Sequence, residues 1–264
     1  MTASPRQRFL KDYRTIRTAE GRGSFVSAYY RALPYRDLSG QNSAQWAIRG
    51  RSYRYFEKKI LAPIERETGR ELKVLDLGAG NGWMSNRLSL RQHKPVALDI
   101  FNDAMDGLGA AHHYESHFPL LEAEFDHLPF RESSFDLAVF NASIHYSTDY
   151  RRTLWELRRC LRPGGHFVIL DSPVYRLREH GEQMRAERHA EFDRRYGFRS
   201  DAMPSLEYFD EPMLADLASE LNIRWIVHRP WYGWKWWSRP WKARLLGRRP
   251  PSRFWILDGV FVKP

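Results

Sequence analysis

Four short apolar runs recur through the middle of the chain, at Leu72–Leu77, Val96–Ile100, Phe135–Phe140 and Phe167–Leu170. They are nearly continuous in apolar character, the pattern of parallel strands covered on both faces. Between them the period becomes helical. Tyr150, Leu154, Leu157 and Leu161 share one stripe, with Arg151, Arg152, Arg158 and Arg159 turned away from it. Ser147, Thr148 and Asp149 offer capping oxygens ahead of this helix, and Pro163-Gly164-Gly165 stops it. Met84 and Leu88 mark the inner face of another helix, directly after the first strand. Strands alternating with helices predict right-handed crossovers and a doubly wound α/β sheet. Such sheets bind ligands at the carboxyl ends of their strands.

The flanks follow a different pattern. Residues 1–71 are rich in arginine and aromatics, with a break at Gly21-Arg22-Gly23-Ser24 before a cluster of Phe25, Tyr29, Tyr30 and Tyr35. Trp46, Tyr53, Phe56 and Ile60 then predict a helix over Ser43–Ile60. Residues 176–222 form a helical insertion. Its last helix is capped by Asp210, carries Pro212 in its first turn and aligns Leu214, Leu217 and Leu221. Short strands at Ile223–Val227 and Phe254–Val262 follow. The division expected is a helical extension over 1–71 and an α/β domain over 72–264, interrupted by 176–222 and by the segment 229–253.

Composition narrows the class. At 42% hydrophobic and 28% charged, a chain of 264 residues can bury a sizeable core. No apolar run approaches the roughly 20 residues of a membrane span, and charge begins at Arg6 with no secretory apolar region, so the expected location is cytoplasmic. The lone cysteine, Cys160, excludes an internal disulfide and a cysteine-rich metal site. The net charge of +10 is uneven: residues 72–171 hold more acids than bases, and both flanks are basic. Basic flanks attract nucleic acid, anionic lipid or acidic substrates alike.

The stretch Val74-Leu75-Asp76-Leu77-Gly78-Ala79-Gly80-Asn81-Gly82 is a strand that ends in a glycine turn before a helix. Glycine reaches backbone angles that a β-carbon forbids and lets a ligand lie against the main chain. The helix start behind it favours an anionic or nucleotide-like ligand. A dinucleotide fingerprint would require glycine where Trp83 stands, which disfavours a nicotinamide oxidoreductase. The spacing Asp76-x-Gly78-x-Gly80-x-Gly82 instead resembles motif I of the class I S-adenosyl-L-methionine (SAM) dependent methyltransferases. Three further segments extend the resemblance. Asp99 ends the second strand, 23 residues after Asp76, where a carboxylate can accept both ribose hydroxyls. Ala123-Glu124-Phe125-Asp126-His127-Leu128-Pro129-Phe130 with Ser133-Ser134-Phe135-Asp136-Leu137 resembles the ubiquinone/menaquinone C-methyltransferase-like branch, methyltransferase type 11. Leu161-Arg162-Pro163-Gly164-Gly165 resembles the turn into the fifth strand of these enzymes.

The resemblance implies a seven-stranded Rossmann-like methyltransferase sheet closed by an antiparallel hairpin, with SAM as cofactor. It implies that Gly78, Gly80 and Gly82, with Asp76, hold the methionine moiety. Asp99 and Ile100 would border the ribose, Glu124 would accept from the adenine amino group and Phe125 would border the ring. The family more often has aspartate at the Glu124 position. Asn141 would lie beside the methionine end, and the loop to Tyr146 would face the acceptor. N-terminal extensions of such enzymes often lie over the substrate mouth.

His145 in that loop is the candidate general base, because an imidazole titrating near 6.5 suits proton removal at neutral pH. A packing role for the same histidine is the alternative. Asp171 and Tyr175 leave the fifth strand on the active-site side. Ala142-Ser143-Ile144 stands where amine and amide methyltransferases resembling one another carry Pro-Pro-aromatic, and Cys160 lies outside the loop a cytosine C5 nucleophile needs. No metal site is expected: His112-His113 lie on the second helix with His117 nearby, and adjacent residues on a helix point apart.

Residues 229–253 hold eight Lys/Arg and no acid, interleaved with Trp231, Tyr232, Trp234, Trp236, Trp237 and Trp241. Three readings stay open: contact with a membrane surface or lipid-like substrate, stacked single-stranded RNA, or an aromatic lid with solvated arginines. The function expected is methyl transfer from SAM to oxygen or carbon of a small or lipid-like acceptor. The rivals are an RNA methyltransferase and a non-catalytic SAM-binding regulator.

Overall fold

A computed structural model describes residues 4–199 and 201–262. The first helix, α1 (Pro5–Ala19), opens with a capping box: the Ser4 hydroxyl accepts from the Gln7 N–H, and the Gln7 side chain accepts from the Ser4 N–H. Two helices follow, α2 (Ser27–Ala32) and α3 (Ser43–Phe56). The helix expected to run to Ile60 stops being α-helical at Phe56. A π-helical turn, Glu57–Leu61, leads into α4 (Ala62–Thr68), which ends at left-handed Gly69. The wider turn buries Phe56, Ile60 and Leu61 together.

The alternating region then unfolds as β1 (Lys73–Leu77), α5 (Trp83–Leu90), β2 (Lys94–Asp99), β3 (Leu120–Glu122), β4 (Phe135–Asn141), α6 (Tyr150–Cys160) and β5 (Leu161–Leu170). The Asp149 side chain caps α6 by accepting from the Arg151 and Arg152 N–H groups. Two details depart from the pattern. The presumed helix carrying His112 and His113 is only a 3-10 helix, Leu108–His113. The edge strand β3, three residues long and poorly buried, has too little apolar signal to show in the sequence.

Beyond β5 come β6 (Val174–Tyr175), α7 (Arg178–Tyr196), β7 (Phe209–Asp210), α8 (Glu211–Leu221) and β8 (Ile223–His228). The chain finishes with α9 (Trp234–Trp237), α10 (Arg239–Leu245) and β9 (Ile256–Phe261). The helical insertion thus contains an unforeseen two-stranded parallel sheet, β6 with β7. Asp210 caps α8 as expected, accepting from the Met213 N–H.

The main sheet has the order β3-β2-β1-β4-β5-β9-β8. The first five strands are parallel, and β9 runs antiparallel to both β5 and β8. This is the doubly wound sheet that the alternation predicts, with the seven strands and closing antiparallel hairpin that the resemblance implies. Successive residues of each strand serve opposite faces. Leu75, Leu77, Phe140 and Ile169 pack against Leu154 and Leu157 of α6 and Leu217 of α8. Val74, Leu137, Val139 and Val168 pack against Trp46, Tyr53 and Phe56 of α3 and Met84 of α5. The N-terminal helices therefore complete one face of the sheet's own core.

Leu154 is fully buried, whereas its neighbour Trp155 is 61% exposed. Leu154→Ala should lower unfolding stability by about 2–5 kcal/mol in denaturant titration, and Trp155→Ala should change it by less than about 0.5 kcal/mol.

Candidate functional site

The site grows from the turn between β1 and α5. Gly78, Gly80 and Gly82 all have positive φ, at 72°, 53° and 76°. A β-carbon on Gly78 would lie 2.3 Å from the Ser143 β-carbon, so this backbone rests directly on the loop after β4. The Ser143 hydroxyl fastens the contact by donating to the Leu77 carbonyl at 2.5 Å. The Gly78 and Ala79 N–H groups donate across to the Leu98 carbonyl of β2.

Carboxylates and an amide end the strands around this turn. Asp76, on β1, accepts through Oδ2 from the Ser85 hydroxyl (2.7 Å) and N–H (3.1 Å), while its buried Oδ1 has no partner. Burial raises its pKa to about 7, against the lowering effect of the Ser85 hydrogen bonds. Asp99, at the end of β2, accepts from the Gly80 N–H at 2.7 Å and the Phe101 N–H at 2.9 Å. Its pKa is also raised by burial, with those N–H groups acting the other way. Asn141 ends β4 with a buried, unpartnered Oδ1. Asp171, just past β5 at a φ of 52°, accepts from the Ser52 hydroxyl through Oδ1 and leaves a buried Oδ2 without a partner. Burial raises its pKa, opposed by Ser52 and the charge of Arg49.

Two cavities meet at this rim. The smaller, about 110 Å³, is lined by Asp99, Ile100, Glu124 and Phe125. Here Glu124 lies 3.5 Å from the Arg6 guanidinium, and the Phe125 ring meets Phe140 edge-on at 5.6 Å. The larger, about 900 Å³, is lined by Asp76, Asn141, His145 and Asp171 on the sheet side. Tyr13, Gly78, Gly80, Ala142 and Tyr146 border both. Gly82 caps α5 behind them. Every cofactor-site residue expected from the sequence except Gly82 therefore borders one cavity or both.

His145 lies in the chamber wall on the 3-10 turn Ile144–Tyr146, but its chemistry differs from the expectation. Burial, reinforced by the charges of Arg188 and Arg49, pushes its pKa down to about 3. The imidazole is neutral at physiological pH and a weak base, with Nδ1 3.3 Å from the Ser172 hydroxyl. Tyr175 turns away from the chamber and accepts from Arg249 at 3.1 Å. The His112 and His113 rings lie 3.9 Å apart at a tilt of 38° rather than pointing apart, and His113 Nδ1 meets the Ser27 hydroxyl. Among the described residues, the one trio whose donor atoms converge is Glu124, Asp126 and His127, held by Arg6 and Arg152.

The sequence foretold a helical extension but not that α1 places Tyr13 and Arg17 in the site. Its Tyr13 lies between the two cavities, packed edge-on against Phe101 and Tyr146, and its Arg17 pairs with Asp106 in the chamber wall. The signal was the Ser4-Pro5-x-Gln7 start. On the far side, α9 and α10 form a lid whose Lys235, Trp236, Arg239 and Lys242 border the chamber, Trp236 and Arg239 half-buried and the two lysines exposed. Trp231, Trp234, Trp237 and Trp241 face solvent, Trp234 at 75% exposure.

A carboxyl whose pKa is raised from 3.8 to about 7 weakens the fold as pH climbs through that interval, because the unfolded chain releases the proton first. Asp76→Asn should therefore raise the Tm of the ligand-free protein at pH 8 by at least roughly 2–4 °C, the shift expected from 1 kcal/mol in a domain this size. The gain should vanish near pH 4 in the same melting series.

Residues 75–169, from β1 to β5, match the family model described as a methyltransferase domain. Malonyl-[acyl-carrier protein] O-methyltransferase of Erwinia pyrifoliae is 32% identical over 101 residues, 38% of this chain and 37% of that protein. The hybrid PKS-NRPS synthetase poxE of Penicillium oxalicum is 30% identical over 128 residues, 44% of this chain and 3% of that protein. The matches thus span well under half the length of these curated relatives. Among solved structures, the 1,6-didemethyltoxoflavin-N1-methyltransferase of Burkholderia thailandensis, with bound 1,6-didemethyltoxoflavin and S-adenosylhomocysteine, aligns with a TM-score of 0.52. It is 19% identical and the alignment covers 100% of this chain and 92% of that one. The matched segment carries the glycine turn and the rim built on it, and over residues 75–169 the chain is similar in sequence to methyltransferase domains and in fold to a solved methyltransferase.

Proposed function

We propose that this chain moves the methyl group of SAM to an oxygen or carbon of a small or lipid-like acceptor. The observation that carries the reading is a pair of orphaned acceptors: Asp76 Oδ1 and Asn141 Oδ1 are both buried, lack partners and border the 900 Å³ chamber. A buried polar atom without a partner costs roughly 1–3 kcal/mol, and the ammonium of a methionine moiety would satisfy both. The backbone of Gly78 and Gly80, bare of β-carbons, leaves room for that moiety against the main chain.

Asp99 would accept from the ribose hydroxyls, using lone pairs that Gly80 and Phe101 leave open. Glu124 would accept from the adenine amino group, with Ile100 and Phe125 beside the ring. When bound, SAM supplies a sulfonium methyl for in-line displacement by the acceptor atom. The protein's part is alignment, exclusion of water and, for a hydroxyl acceptor, removal of a proton. Asp171 suits that last task better than His145: its Oδ2 is unpartnered and burial raises its pKa, whereas His145 is held as a weak base. His145 then serves to shape the acceptor wall.

The outer face of the lid supports peripheral membrane contact. Trp231, Trp234, Trp237, Trp241, Leu245 and Leu246 are exposed on a segment with cations and no acid, a composition suited to an anionic headgroup layer. No helix among the described residues is long and apolar enough to cross a membrane.

Calorimetric titration with S-adenosylhomocysteine tests the cofactor assignments. Asp99→Ala should weaken binding at least ~10-fold, about 1.4 kcal/mol, and Asp76→Asn should weaken it despite raising stability. Unchanged affinity in Asp99→Ala would remove the ribose role. Sedimentation with phosphatidylserine vesicles tests the lid: replacing Trp234, Trp237 and Trp241 with alanine should abolish pelleting. Equal pelleting would dismiss the membrane contact.

A further inference from the structure

The inner face of the lid is built differently from its rim. At the rim, Arg249 pairs with Glu187 at 2.7 Å and Arg253 with Glu211 at 2.6 Å. Lys235, Arg239 and Lys242 instead line the chamber, and among the described residues no side chain or carbonyl pairs with their charged groups. The Arg239 guanidinium lies 3.9 Å over the Trp236 ring, and its Nη1 is buried without a partner. Stacking on an indole orients a guanidinium without neutralising it.

The chamber cannot supply the missing counter-charge itself. Of its acids, Asp106 pairs with Arg17, Asp76 accepts from Ser85 and Asp171 from Ser52, and none of the three is paired with a lid cation. Arg17, Arg49 and Arg51 add further cations to the lining. SAM brings a net positive charge of its own, so cofactor binding deepens the imbalance. Lys235 and Lys242 are exposed to the chamber's solvent, whereas Arg239 is half-buried and leaving its guanidinium unpaired is costly; a ligand anion placed among the three gains charge-assisted hydrogen bonds. Beside the three cations, Trp236 packs 5.3 Å from Tyr232 and 5.0 Å from Phe254, an aromatic wall for an apolar body.

We infer that the acceptor is an anionic amphiphile, whose carboxylate or phosphate is held by Lys235, Arg239 and Lys242 while its apolar part lies on Trp236, Tyr232 and Phe254. The inference rests on the methyltransferase reading and specifies its acceptor. The lid enters the sheet beside β5, between β8 and β9, whereas the cofactor rim is built on β1, β2 and β4. The anion site is thus separate from the groups assigned to SAM.

The test uses full-length protein saturated with S-adenosylhomocysteine and titrated calorimetrically with octanoate, octyl phosphate and 1-octanol. At least one anion should bind tenfold or more tightly than the alcohol, about 1.4 kcal/mol, and the better of the two distinguishes a carboxylate from a phosphate source. Raising the salt should weaken the anion more than the alcohol. Arg239→Gln and the double variant K235Q/K242Q should each erase most of that preference while S-adenosylhomocysteine affinity, which also reports correct folding, stays unchanged. Equal binding of alcohol and anions, no binding by either anion, or a preference that survives in both variants would overturn the inference. Failure of the protein to bind S-adenosylhomocysteine at all would instead overturn the methyltransferase function.

Discussion

Three carboxylates, Asp76, Asp99 and Asp171, stand where parallel strands end on one rim of the sheet, Asp76 and Asp171 buried and Asp99 half-buried, and loss of solvent raises the pKa of all three. Withdrawing carboxylates from water is unfavourable unless hydrogen bonds replace the lost solvent. Each is answered locally and only in part. Ser85 answers Asp76 from the first turns of α5, backbone N–H groups answer Asp99, and Ser52 reaches across from α3 to Asp171. The glycine turn has to pass within van der Waals limits of Ser143 so that the Gly80 N–H can point at Asp99. The two aromatic-rich core layers hold the strand ends in register while the rim carries this unfavourable charge.

The incomplete answers are the functional content of the rim. Had Asp76 and Asn141 been fully hydrogen-bonded, the site would be a well-satisfied loop with no demand for a ligand. The lid is the counterpart on the other side, with cations where the rim has acids. A chamber bounded by unpaired acceptors on one wall and unpaired cations on the other discriminates by charge before shape enters. On the proposed reading, a cofactor of net positive charge and an anionic acceptor would each meet a complementary wall.

How much of this was legible depended on whether the signal was local. The turn Asp76–Gly82, the acid at Asp99, the α6 stripe and the Asp149 and Asp210 caps are local, because backbone angles and helix ends act over a few residues. The parallel strands were legible because both faces are covered. The edge strand β3 and the two-residue β6–β7 pair were not, since pairing across the insertion leaves almost no periodicity in so few residues. The helix over Ser43–Ile60 was half right: nothing in its spacing announces a π turn whose purpose is to bury Leu61 beside Ile60. His145 shows the limit most plainly. Its loop position was readable, but its basicity is set by burial and by Arg188 and Arg49, which lie far from it in sequence. Asp171 gains importance for the same reason, through Ser52 and Arg49.

The placement of the lid between β8 and β9 bears on how such a protein diversifies. His228 and Ile256 are directly opposed in the antiparallel register, so the whole of 229–255 leaves and rejoins the sheet at a single rung. A segment whose ends are already side by side adds only a slowly growing closure entropy with length. It can lengthen, shorten or change composition while the parallel half of the sheet keeps its packing and its rim of carboxylates. The architecture is in effect a socket with an interchangeable cover, in which selection can rewrite one chamber wall within one continuous stretch of sequence while leaving the carboxylate rim unchanged.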